Sequence, residues 1–137
     1  MTDYLTAADI LAIHADLIAR YGGSPGLRDA GLLEAALYRP QTGYYEDVLA
    51  EAAALWESLS QNHAFVDGNK RMAFAAAFTF LAINGVEIEA GASEVWTLLG
   101  PLYERHEIRF ELLEAWLRRN PPSFRLYGSK SMPARLP

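Results

Sequence analysis

Apolar residues recur at helical spacing from the start of the chain. Ile10, Ile13, Leu17 and Ile18 mark one face of an amphipathic helix. Thr6 followed by Asp9 reads as a capping pair at its start, and Tyr21-Gly22-Gly23 as its end. His14 lies on or beside that stripe, either as a packed, hydrogen-bonded histidine or as a contact near a site. After the turn Gly23-Ser24-Pro25-Gly26, residues 30–37 predict a short helix halted by Pro40. Residues 46–62 predict a longer helix, and 72–83 an almost wholly apolar one closing on Asn84-Gly85. Phe74, Phe78 and Phe80 therefore read as core.

Residues 86–89 suggest a brief extended piece. Ser93 is placed as the cap of a helix through Leu99 that Gly100-Pro101 bends or breaks, and residues 110–119 form the last helix. The expected class is all-α, with a domain over residues 1–120. From residue 121 to 137, Pro, Ser, Arg and Gly predominate and predict a loosely ordered tail. Its cations Arg125, Lys130 and Arg135, with Arg119 at its base, suit a solvated tail or an acidic partner.

Between the two central helices stands the run His63-Ala64-Phe65-Val66-Asp67-Gly68-Asn69-Lys70-Arg71. It places a proton acceptor, a carboxylate, an amide and two cations where a helix begins. The first N–H groups of a helix are unpaired and sit at the positive end of its dipole, so Gly68, Asn69 and Lys70 suit an anion, and Gly68 lets a phosphate approach closely. Asp67 is a hard oxygen ligand, and Mg²⁺ needs only one or two carboxylates when phosphate oxygens share it. Lys70 and Arg71 would pair with phosphate oxygens. Asn69 would orient a phosphate oxygen or help cap the helix. His63 is the group able to be neutral at pH 7 and to take a proton from an attacking hydroxyl. Phe65 is expected to point inward. A zinc site on His63 and Asp67 is a poorer reading, since there is no Cys and His14 and His106 lie far off in sequence.

The run resembles the signature of the Fic/Doc family, His-x-Phe-x-Asp/Glu-Gly/Ala-Asn-x-Arg on a loop before a central helix. Most Fic enzymes, which move AMP onto a protein hydroxyl, have Gly after the Asn and a second Arg three places beyond the first; here Lys70 and Phe74 stand there. Both departures resemble the death-on-curing (Doc) toxin branch. So do Arg20 through Asp29, Gly31-Leu32-Leu33-Glu34 and Arg39-Pro40-Gln41, and more weakly Leu126-Tyr127-Gly128; the likeness spans roughly residues 6–120.

The resemblance implies a compact helical Fic fold with a short flap over the active site. That flap is a candidate β-hairpin, and residues 38–45 are placed as it, an ordinary connector being the alternative. It implies ATP and Mg²⁺ as cofactors, with His63 catalytic, Asp67 on the metal, and Gly68, Asn69, Lys70 and Arg71 on the nucleotide. A Lys in place of Gly crowds the room for an α-phosphate and offers a cation, so the nucleotide would enter reversed and present its γ-phosphoryl. The implied activity is that of a protein Ser/Thr kinase toxin of a type II toxin-antitoxin system, with elongation factor Tu as target and translation as the process inhibited. A small antitoxin is the implied partner, and no Ser/Thr-x-x-x-Glu-Gly/Asn inhibitory segment is found. The alternatives are a protein adenylyltransferase and an inactive peptide-binding module.

Composition fits that reading. Twelve Lys plus Arg against seventeen Asp plus Glu leave a net charge of −5, which argues against direct nucleic-acid binding by the bulk surface. No cysteine, no signal-like N-terminus and no long apolar run point to a bacterial cytoplasmic protein with no membrane partner.

Overall fold

The computed structural model describes residues 1–88, 92–119 and 122–124. Helix α1 (Ala7–Tyr21) starts where expected. Thr6 accepts from the Asp9 N–H at 3.2 Å while Asp9 accepts from the Thr6 N–H at 2.9 Å, two otherwise unpaired donors satisfied reciprocally. Asp29 caps α2 (Ala30–Tyr38), and Asp47 caps α3 (Val48–Asn62). Then follow α4 (Asn69–Ile83), strand β1 (Val86–Ile88), α5 (Ala92–Glu104), α6 (Phe110–Arg119) and strand β2 (Pro122–Phe124).

Helices α3 and α4 form the centre. Ala52, Ala53 and Ala54 on one and Ala73, Ala75, Ala76 and Ala77 on the other are fully buried, and such small side chains let helix axes approach closely. Trp56, Phe74 and Phe78 pack among themselves and against Trp96 and Trp116 in mostly edge-on pairs. This core holds α4, whose first turn carries the end of the motif run. Among the described residues no helix is long and apolar enough to cross a membrane.

Several expectations need correction. Residues 38–45 contain no strand: Arg39–Thr42 is a 3-10 turn with Pro40 buried, anchored by Arg39 to Glu57, Ser58 and the Tyr45 hydroxyl. The segment that runs beside the motif loop is residues 24–29 instead. Helix α5 begins before Ser93, so Ser93 is not its cap, and it continues through Pro101. A proline within a helix removes one N–H donor, and here the turn beyond it still closes through Arg105 N–H to Pro101 O at 3.1 Å. In the expected tail, β2 pairs antiparallel with β1, Glu87 opposite Ser123. Glu89, Arg125, Leu126-Tyr127-Gly128, Lys130 and Arg135 lie outside the described residues.

Candidate active site

The last residue of the α3 turn is His63, in a left-handed conformation (φ 50°, ψ 50°) uncommon for a side chain other than glycine or asparagine. Arg28 holds it there. Its Nε donates to the His63 carbonyl at 2.7 Å and its Nη2 to the Asn62 carbonyl at 3.2 Å. These are terminal carbonyls of a helix, where the dipole favours a cation. The backbone joins in: Arg28 and Asp29 N–H both donate to the Ala64 carbonyl, and Val66 N–H to that of Gly26. With its main chain fixed, His63 leaves its imidazole exposed.

Phe65 turns inward, 2% exposed, and its ring stacks on that of His14 at 3.8 Å. His14 is itself buried, with Nε2 2.7 Å from the Asp67 carbonyl. A carbonyl only accepts, so Nε2 carries the proton in this contact. The Asn69 amide closes the loop from the other side, accepting from the Phe65 N–H at 3.1 Å and donating to the Phe65 carbonyl at 2.9 Å. Its side chain does not cap α4, whose N-cap is Gly68; one amide N–H is left beyond these two bonds, and its backbone N–H stands at the helix start. Gly68 occupies the N-cap at φ 76°, and a Cβ there would crowd Ile18 Cδ1 at 3.3 Å.

Asp67 is exposed, yet its carboxylate is aimed. Oδ1 accepts from the Gly68 N–H at 2.8 Å and Oδ2 from the Ser24 N–H at 3.1 Å, leaving further lone pairs for a cation. Gly23 makes the second bond possible: a Cβ there would fall 2.9 Å from Oδ2. The Arg71 guanidinium sits over the Tyr21 ring, its Cζ 4.2 Å from the ring centre, with its Nε buried and without a hydrogen-bond partner. The Lys70 ammonium sits 5.4 Å from the centre of the Tyr103 ring.

His63, Asp67, Gly68, Asn69, Lys70 and Arg71 all line one cavity of about 470 Å³, with Val66 and Trp96 completing its wall. Two cations, an aimed carboxylate and a helix N-terminus fit a polyphosphate with a divalent cation. Among the described residues no three His, Cys, Asp or Glu side chains gather to hold a metal by themselves.

The model of the Fic/DOC family matches residues 4–81. The chain belongs to the Fic/DOC family. Toxin Doc of Mycolicibacterium smegmatis is 54% identical over 95 residues, 66% of this chain and 71% of that protein. Protein kinase doc of Escherichia phage P1 is 37% identical over 89 residues, 62% of this chain and 71% of the relative.

In this Fic/DOC chain the motif is plain in the sequence and the residues that support it are not. Trp96 comes from α5, and no local pattern ties it to the loop. Arg28 lies within the stretch that carries the resemblance, with no further local signal of its role. His14 has one legible signal, an imidazole on a helix face otherwise bound for the core.

Proposed function

We propose that this protein is a Doc-like toxin that transfers the γ-phosphoryl group of ATP to a Ser or Thr hydroxyl of a target protein. What carries the reading is the convergence of the six motif residues on one cavity at the start of α4, with the carboxylate of Asp67 oriented by two N–H groups. The similarity to Toxin Doc of Mycolicibacterium smegmatis and to Protein kinase doc of Escherichia phage P1 supports it.

In this reading the backbone N–H groups of Asn69, Lys70 and Arg71 and the two cationic side chains hold the terminal phosphates. They oppose the charge that redistributes in the transition state. Asp67 would hold Mg²⁺, which when bound neutralises phosphate charge. His63 accepts the proton of the acceptor hydroxyl as the new O–P bond forms; the bond from Pγ to the β,γ-bridging oxygen breaks and ADP departs. Positioning and electrostatics supply most of the acceleration, and removing His63 should cost about 10²- to 10⁴-fold. Lys70 at the seam of the cavity supports presentation of the γ rather than the α end, since its side chain takes up room a glycine would leave open.

By resemblance the acceptor is elongation factor Tu, its modification stops translation, and a small antitoxin restrains the enzyme in the bacterial cytoplasm. Mass spectrometry tests the reading. Cell extract incubated with Mg-ATP and the wild-type protein should contain a Ser or Thr bearing one phosphoryl group, absent with His63→Ala. A side chain bearing AMP instead would assign the protein to the adenylyltransferases.

A further inference from the structure

A second cavity, about 310 Å³, opens on the other side of His63 and Lys70, the two residues that line both. Its remaining walls come from the end of α3 and from α5 and the segment leading into α6: Gln61, Tyr103, His106 and Ile108 among them. The two spaces differ in character. The first holds Asp67, Lys70, Arg71 and a helix N-terminus. The second has no full charge of its own beyond the shared Lys70. Burial pushes the Tyr103 phenol up, its hydroxyl is tied to Ser60 at 2.8 Å and to Trp56 at 3.3 Å, and it stays neutral.

We infer that the second cavity holds the uncharged end of the phosphoryl donor, the nucleoside with its planar base, while the polyphosphate crosses Lys70 into the first. This rests on the phosphoryl-transfer reading above and adds where the nucleoside lies. An aliphatic side chain, an imidazole, an amide and an aromatic ring suit a flat heterocycle with polar edges, and the volume falls in the range of small-ligand clefts, roughly 300–1,000 Å³. Gln61 donates through Nε2 to the Ile108 carbonyl at 2.6 Å, which fixes the amide plane and leaves Oε1 as an acceptor. The Lys70 ammonium, seated over the Tyr103 ring, lines both cavities and so stands where the phosphate chain would pass from one to the other.

Calorimetric titration of the full chain with Mg²⁺ and two probes tests this: the non-hydrolysable β,γ-imido analogue of ATP, and inorganic tripolyphosphate. Gln61 is exposed on the last turn of α3, so Gln61→Trp should fill the second cavity without disturbing the first. The expected result is a loss of affinity for the ATP analogue of about tenfold or more, with tripolyphosphate bound as by the wild type. Gln61→Leu, which also loses the Ile108 bond but adds no bulk, should keep most of the affinity for the analogue. Unchanged binding of the analogue by Gln61→Trp, equal weakening of both probes, or an equal loss in Gln61→Leu would each overturn the inference. A wild-type protein that binds neither probe would instead remove the phosphoryl-transfer reading beneath it.

Discussion

Arg28 reaches the carbonyl of His63 at 2.7 Å, so a side chain thirty-five residues upstream fixes the backbone of the proposed base. Arg28 touches no reacting atom in this account; it positions one that does. Misplacing a catalytic group by about 1 Å can cost on the order of 10²-fold. Arg28→Ala is therefore expected to lower kcat about 10- to 100-fold while the affinity for a Mg-nucleotide analogue stays near wild type. Arg28→Lys, which keeps the charge at the helix end, should recover part of the loss. Steady-state kinetics with parallel binding measurements separates the two effects, and a fall confined to affinity would argue against a positioning role.

Gly23 is the counterpart for Asp67, the proposed metal ligand. A methyl group there would meet Asp67 Oδ2 at 2.9 Å, and φ of 113° adds strain for any side chain. Gly23→Ala should displace the carboxylate and raise the Mg²⁺ concentration needed for half-maximal activity, roughly tenfold. A Mg²⁺ titration of activity reads it, and an unaltered midpoint would detach Asp67 from the cation.

His14 supports the same loop from below. His14→Phe keeps a ring against Phe65 but leaves the Asp67 carbonyl without its 2.7 Å donor, a loss of about 1–3 kcal/mol. His14→Ala also opens a void, and should cost more. Urea denaturation would give both values; equal stabilities would mean that the hydrogen bond and the stack contribute nothing measurable.

Glu51, in the first turn of α3, has one carboxylate oxygen buried without a partner, and burial raises its pKa above the usual carboxylate range. A carboxyl whose folded-state pKa is raised favours folding below its unfolded-state pKa. That contribution is lost as pH rises through the folded-state value. Glu51→Gln should accordingly melt a few degrees above the wild type at pH 8, and the gap should shrink towards pH 4. Melting curves at the two pH values check the sign.

The parts of the fold that sequence makes legible are those decided locally. Thr6 with Asp9 forms a cap because both partners lie within one turn, and the apolar spacing of α1 through Leu17 needs no distant residue to be recognised. The motif is legible for the same reason: His63 to Arg71 supply the whole chemical set in nine consecutive positions. What escapes is decided by tertiary contact. Residues 38–45 carry flap-like punctuation, yet Arg39 finds Glu57 and Ser58 on α3 and the segment winds into a turn. Pro101 reads as a breaker, but the flanking helix is held by Leu99 and Tyr103 in the core. Asn69 has an amide suited to phosphate, and only the folded loop reveals the two hydrogen bonds it also makes to the Phe65 backbone.

Which end of ATP faces the acceptor decides between phosphoryl and adenylyl transfer. ATP labelled separately at the α and γ positions, incubated with the wild-type protein, Mg²⁺ and cell extract, answers that directly. Protein-bound label from the γ position only, lost with His63→Ala, is the predicted result. Protein-bound label from the α position, or γ transfer that survives His63→Ala, would contradict it.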